Sequence, residues 1–325
     1  MQSITKRHLT DHEIRMVLHR AFGPDTEPLR TTAFTEGCFA AVYGIDLADG
    51  RELVLKVSPS PQLRLLRYEV DLANTEIEFY RFATAAGLPV PAVRFADADG
   101  GYLLIDRLRG RSLEAVKSDL SAGQLERLRH DLGAICARLA TVTGPAFGYP
   151  RRDGHTRSGS WRTSFLAFVD DILTDAVEYH RELPMPAERI AELISRHAAV
   201  LDEVSTPSLV HFDLWDGNIF VLPDGDGVTV EGIIDGERAF YGDPIAELVS
   251  LALFTDPERV PGLLAGFLGE QRQLTAGERL RWRLYTVYLD LIMVTEGAVR
   301  GHVTEEQDQF RTFVLGHLAE HLAEL

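Results

Sequence analysis

The stretch LVHFDLWDGNIFV, residues 209–221, places His211, Asp213, Asp216 and Asn218 between two apolar runs. A core strand would exclude these residues, and an ordinary turn does not need four of them. Phosphoryl transfer to a hydroxyl does need such a set, in the spacing H-x-D-x-x-x-x-N. The aspartate, Asp213, accepts or orients the hydroxyl proton in line with the γ-phosphate. The asparagine five residues on, Asn218, turns back to hold a magnesium ion on the phosphates. His211 reads as a brace for the loop. Seventeen residues after Asn218, Asp235 ends the apolar run in EGIIDGERAF and projects where a strand stops. It reads as the second metal ligand, since two oxygen ligands, phosphates and water match magnesium's coordination habits. The chain has two asparagines, Asn74 and Asn218, and one falls where the spacing requires it.

Phosphates also need a positive clamp. The chain holds only three lysines, Lys6, Lys56 and Lys117, among 33 basic residues, and Lys56 stands inside the strand-like run LVLKV. A compact point charge kept mid-strand in an arginine-rich chain reads as a phosphate ligand; the plain alternative is a lysine on the solvent face of an edge strand. A helix carboxylate should hold that lysine, and Glu69, Glu76 and Glu78 are all placed to do so. Gly37, in TEGCFAAVY, is the glycine available for a turn covering the phosphates. Backbone groups from Asp106 to Leu108, in YLLIDRLRG, stand where a connector between two lobes can bond a purine.

The elements that would position these groups can be read from pattern. Thr10 and Glu13 form a capping signal for a first helix whose apolar face carries Ile14, Val17 and Leu18. CFAAVYGIDL and ELVLKVS read as strands joined at Asp49-Gly50, a hairpin signal. Residues 62–86 read as a helix stopped by Gly87, and RFAD and GYLLIDRL as further strands. Helical patterns then occupy 121–142, 161–180, 186–204, 245–254 and 275–325, the last broken near Gly301. The region 208–238 is the exception, reading as short strands around the polar loop. The organisation expected is a β-rich nucleotide-binding lobe over 1–106, a connector over 107–111 and a helical lobe over 112–325.

Composition narrows the partners. With 325 residues the chain has ample material for a large core, and its formal charge of −16 argues against nucleic acid or an anionic membrane. Cys38 and Cys136 form neither a disulfide framework nor a zinc signature. The N-terminus lacks the apolar core of a signal peptide, and no apolar run approaches membrane-spanning length. A cytoplasmic location is therefore expected.

In combination these segments resemble the aminoglycoside phosphotransferase superfamily, which shares the protein-kinase fold and includes choline, fructosamine and methylthioribose kinases. The resemblance is carried by LVHFDLWDGNIFV, GIIDGERAFYGDPIAEL, ELVLKV, TEIEFYRFATAAGLPVPAV and YLLIDRLRGRSL, from about residue 30 to about residue 250. It implies an α+β, two-lobed protein-kinase-like fold, with a small β-rich N-terminal lobe and a larger, mainly helical C-terminal lobe. It implies Asp213 as catalytic base, Asn218 and Asp235 as magnesium ligands, and Lys56 with Glu76 as the clamp on ATP. EIEFYR is what favours Glu76 over its rivals, and Asp243 in YGDP would be structural. The chain departs from the family pattern at Phe212, where glycine is usual, at Gly236, where an aromatic residue is common, and in a phosphate loop poor in glycine.

The helical part should supply the acceptor pocket. Asp171, Asp175 and Glu178 fall at helical spacing, making either an acidic stripe for a cationic ligand or a solvated helix face. Asp290 interrupts an apolar helix, so it should pair with an arginine or face a polar cleft. With Trp215 and Asp216 of the loop, Asp171, Asp175 and Asp290 are the candidate acceptor contacts. The expected activity is an ATP- and magnesium-dependent kinase acting on a hydroxyl of an aminoglycoside-like or other amino-sugar acceptor. A metabolic kinase for a glycated amine, sugar or amino alcohol is the alternative among enzymes. A nucleotide-binding regulatory protein without catalysis is the alternative outside them.

Overall fold

The computed structural model describes residues 3–35, 37, 39–225, 227–301 and 304–325, so Cys38 lies outside the described residues. Helix α1 (Asp11–Phe22) begins with the capping box expected of Thr10 and Glu13, and buries Ile14, Val17 and Leu18. Five antiparallel strands follow: β1 (Pro28–Phe34), β2 (Ala41–Leu47), β3 (Glu52–Val57), β4 (Val93–Asp97) and β5 (Tyr102–Asp106), in the order β1-β2-β3-β5-β4. Helix α2 (Leu72–Ala85) is inserted between β3 and β4.

Strand alternation decides which way Lys56 points. Leu53, Leu55 and Val57 pack against Ile14, Val17 and Leu18 of α1 in one apolar cluster. The intervening Val54 and Lys56 therefore face the other side of the sheet, where α2 lies. β1 was not legible from the sequence; its burial pattern shows mostly exposed positions, so it carries little apolar periodicity.

Beyond β5 the chain forms β6 (Arg111–Ser112), α3 (Leu113–Val116), α4 (Ala122–Leu139), α5 (Trp161–Glu178) and α6 (Ala187–His197). Strands β7 (Ser208–Val210), β8 (Ile219–Asp224), β9 (Gly227–Ile233) and β10 (Phe240–Gly242) make two small sheets, β7 with β10 and β6-β8-β9. Helices α7 (Glu247–Leu251), α8 (Leu263–Leu268), α9 (Ala276–Arg300) and α10 (Glu305–Ala323) complete the chain. The larger core centres on an aromatic stack in which Trp161 and Phe168 of α5 lie against Phe240, with Tyr285 and Tyr288 of α9 beside them. Asp243 anchors this region, accepting bonds from Arg281 Nε at 2.7 Å and the Tyr285 hydroxyl at 2.8 Å. Among the described residues, no helix is long and apolar enough to cross a membrane.

The segment expected to be helical from residue 62 departs from that reading. It holds only a 3₁₀ turn at Arg67–Glu69 before α2, and Asp71 between them has φ +64°. Long-range charge explains the difference: Arg67 is drawn to Asp175 and Glu178, Glu69 to Arg300, and Asp71 to Arg152 at 2.6 Å. These tertiary pairs override local helix propensity.

Leu55 is fully buried between the sheet and α1. Leu55→Ala is expected to lower unfolding free energy by about 2–5 kcal/mol, the usual range for truncating a core leucine, as measured by urea denaturation.

Candidate active site

The loop between β7 and β8 is shaped before any chemistry is asked of it. Phe212 takes φ +63°, a conformation that favours glycine, which accounts for the glycine usual here in the family the sequence resembles. The phenylalanine is held there by complete burial against Phe240 and Tyr288, at centroid distances of 5.1 and 5.8 Å. The buried Glu247 of α7 accepts the amides of His211 at 2.7 Å and Phe212 at 3.1 Å, and Ser250 accepts that of Leu214 at 2.9 Å. His211 is a brace: its Nε2 donates to the Ile234 carbonyl at 2.9 Å and its Nδ1 accepts from the Asp213 amide at 3.2 Å. Burial lowers its pKa to about 4, so the ring is neutral at physiological pH.

Asp213 stands in this braced loop with about a fifth of its side chain exposed. One carboxylate oxygen lies 3.3 Å from the Asn218 amide nitrogen, which also donates to the Asp213 carbonyl at 2.9 Å. That use of nitrogen leaves the Asn218 Oδ1 as the atom it can offer a cation. Burial pushes the Asp213 pKa up to about 7, against the opposing pull of the Arg238 guanidinium. Ile234 N donates to Asn218 O at 3.0 Å, so the ends of β8 and β9 lie side by side and bring Asp235 next to the loop.

Lys56 meets three carboxylates. It lies 2.9 Å from Glu76 of α2 and 2.7 Å from Glu237, and it also bonds Asp235. Of the three glutamates the sequence left open, Glu76 is the one that reaches the lysine. Glu69 pairs with Arg300 and Glu78 with Arg81. Burial alone would lower the Lys56 pKa, yet the surrounding carboxylates raise it well above its ordinary value. Burial pushes Glu76 up to about 8 despite Lys56 and raises Glu237, whereas the lysine's charge outweighs burial at Asp235 and lowers it. One ammonium cannot neutralise three carboxylates. The ligand oxygens of Glu76, Asp235 and Glu237 lie within 4.8 Å of one another. This set of carboxylate oxygens fits a hard divalent cation.

Glu237 and Arg238 were missed by sequence reasoning. The signal was their position directly after Asp235 in GERAF, where a short 3₁₀ turn swings both back toward the loop. Gly236 has its own explanation: a Cβ there would lie 2.2 Å from Cδ1 of Phe79. Phe79 of α2 occupies that space and packs edge-on against His211 at 4.8 Å.

The remaining candidates are spread out. Gly37 lies exposed in the loop before β2 with φ +78°. Asp106 pairs with Arg94 at 2.6 Å at the surface. The amides of Asp106, Arg107, Arg109 and Gly110 are bonded to Ala92, Glu52 and Glu231, leaving the Leu108 amide as the free donor of this connector among the described residues. Trp215 is an exposed residue of the loop itself. The four carboxylates expected as acceptor contacts each have a partner within the chain. Asp216 is held by Arg129 at 2.7 Å and Lys117 at 3.2 Å, Asp171 by His155 at 2.7 Å, and Asp175 by Arg67. Asp290 meets a histidine rather than an arginine, beside a small cavity that Phe254, Trp282 and His317 also line. It is buried against His317 of α10 at 2.8 Å.

The sequence model of the phosphotransferase enzyme family matches residues 30–323. The chain belongs to that family. It is 26% identical over 214 residues to a probable ketoamine kinase of Enterococcus faecium (strain ATCC BAA-472 / TX0016 / DO), covering 63% of this chain and 68% of that protein. The fold is similar to that of a putative fructosamine-3-kinase from Thermobifida fusca YX-ER1, with a TM-score of 0.63, 21% identity, and coverage of 96% of this chain and 99% of that one. It is also similar to APH(2")-IIa in its ternary complex with streptomycin and ATP, with a TM-score of 0.62, 19% identity, and coverage of 97% and 99%. The phosphotransferase described here is thus a small-molecule kinase with the two-part, kinase-like α+β architecture.

Gly236→Ala is expected to destabilise the protein by about 1–3 kcal/mol, the usual range for overpacking. In a Phe79→Ala background the same substitution should cost markedly less. Equal costs in both backgrounds, by thermal or urea unfolding, would show that Phe79 does not define the space.

Proposed function

We propose that this phosphotransferase moves the γ-phosphate of ATP to an acceptor hydroxyl, with Asp213 as the base. The observation that carries the reading is the chain of contacts that joins Asp213 to Asn218, the end of β8 to Asp235, and Asp235 through Lys56 to Glu76. Asp213 is braced at the end of a strand-bounded loop, and its raised pKa suits a group that takes a proton near neutrality. Lys56, oriented by Glu76, supplies a point charge for the phosphates. The Leu108 amide is placed to bond the purine. Asn218 and Asp235 would hold magnesium, which would supply positive charge against the phosphates. Lys56, now bonded to Asp235, would add its own charge to the phosphates.

The acceptor proposed is a hydroxyl on an amine-bearing sugar. A ketoamine, a glycated amine, is favoured by the similarity to a ketoamine kinase. The pairing of the helical-part carboxylates points the same way: Asp171 and Asp175 are already engaged, so the site is poorly equipped to attract a polycation. An aminoglycoside remains the second reading, supported by the likeness in fold to the streptomycin-binding phosphotransferase.

The test is ADP release with ATP and magnesium across fructosyl-lysine, other glycated amines, amino alcohols and aminoglycosides. Asp213→Ala is expected to reduce transfer at least about 100-fold while ATP affinity stays within about threefold. ATP binding without transfer to any acceptor, unchanged by this substitution, would instead support a regulatory nucleotide-binding role. Asp235→Ala is expected to remove the magnesium-dependent part of ATP affinity in calorimetric titrations with and without the metal. Equal magnesium enhancement in the variant would exclude Asp235 as the ligand.

A further inference from the structure

Asp213 is contacted by a cation that the loop itself does not supply. Arg238 is buried, with its Nη1 3.4 Å from Asp213 Oδ1 and its Nη2 2.7 Å from Glu296 Oε2. Glu296 is bound in turn by Arg300, one turn further along α9, at 2.8 Å. Arg300 reaches Glu69 at 3.3 Å, and the other oxygen of Glu69 accepts the Leu66 amide at 3.0 Å. Asp213, Arg238, Glu296, Arg300 and Glu69 therefore alternate in sign along one continuous string. The string runs from the loop to the turn before α2, the helix that carries Glu76.

We infer that Arg238 is a positioning residue for Asp213, held at its working distance by Glu296. The assignment rests on Asp213 being the base of the proposed kinase reaction. The two distances carry the argument. Arg238 makes a short bond to Glu296 and a long one to Asp213, so it steadies one carboxylate oxygen without forming a tight pair. Asn218 holds the other oxygen. Gripped weakly at both ends, the carboxylate keeps one orientation and retains lone-pair capacity for an acceptor hydroxyl. Removing the guanidinium lets the carboxylate rotate. Removing the charge of Glu296 instead lets Arg238 move onto Asp213 in a bidentate pair and block it. Arg300 and Glu69 keep Glu296 from turning away, and they join this setting to the segment preceding α2. Arg300 also lies over the Phe39 ring, 5.3 Å from its centroid, which ties the string to the loop before β2.

The experiment measures ADP release with fructosyl-lysine and, separately, with water as acceptor, for Arg238→Gln, Arg238→Lys, Glu296→Gln and the Arg238→Gln/Glu296→Gln pair. Arg238→Gln is expected to lower kcat about 100-fold, the scale of a misplaced reacting group, with ATP affinity and acceptor KM within about threefold. Arg238→Lys should recover at least about tenfold over the glutamine variant, because it restores the charge. Glu296→Gln should lower kcat about tenfold alone and add nothing to Arg238→Gln, since it acts through that residue. A fully additive double variant, or a folded Arg238→Gln enzyme within about threefold of wild type, overturns the inference. Should Arg238→Gln fail to fold, Arg238→Lys and Glu296→Gln decide: kcat within about threefold of wild type in both overturns it, and loss of kcat at constant ATP affinity supports it. Wild-type protein that releases no ADP with either acceptor would refute fructosyl-lysine as the acceptor and leave the kinase reading to the wider panel. Crystal structures of Arg238→Lys and Glu296→Gln then decide separately, an unmoved Asp213 carboxylate overturning the positioning role and a displaced one supporting it.

Discussion

The ammonium of Lys56 is the point on which the rest of the site depends. It draws together Glu76 from the helix over the sheet and Asp235 and Glu237 from the segment after β9, three carboxylates from two distant stretches of chain. Buried like charges of this kind repel strongly unless compensated, and a single lysine compensates only one of them. The arrangement is thus charged for a further cation and a polyanion together. A structure built only for stability would have little reason to bury such an excess.

Around that centre the protein has fixed its loops with main-chain bonds rather than with regular structure. Glu247 satisfies two consecutive amides, His211 joins the loop to the end of β9, and Phe212 is kept at positive φ by the aromatic core beneath it. The same core, through Trp161, Tyr285 and Asp243, links the loop to α5 and α9. Asp213 consequently stands beside this buried aromatic core, in a loop fixed on both sides.

The carboxylates of α5 are organised differently. Those that a linear reading takes for a cation-binding stripe are each matched by a histidine or arginine, several of them from far along the chain. Asp175 meets Arg67 across 108 positions, and Glu69 meets Arg300 across 231. These pairs fasten the segment before α2 to the helical part.

The division between sequence and tertiary structure follows from the range of each interaction. Local patterns already determined the capping of α1, the strand alternation that turns Lys56 away from α1, and the loop with Asp213 and Asn218 between two short strands, because each depends on neighbours in the chain. The motif residues likewise made the phosphotransferase family legible. Sequence spacing could not choose among Glu69, Glu76 and Glu78, since three glutamates on one segment differ only in what they meet. It could not reveal Glu237 and Arg238 as part of the site, because a turn at Gly236 decides where they point. It misjudged residues 62–71 as helix, and did not show the partners that Asp216, Asp171, Asp175 and Asp290 meet, for one reason. The fate of a charged side chain is set by its oppositely charged partner, and here those partners come from other parts of the chain that only the folded structure brings near.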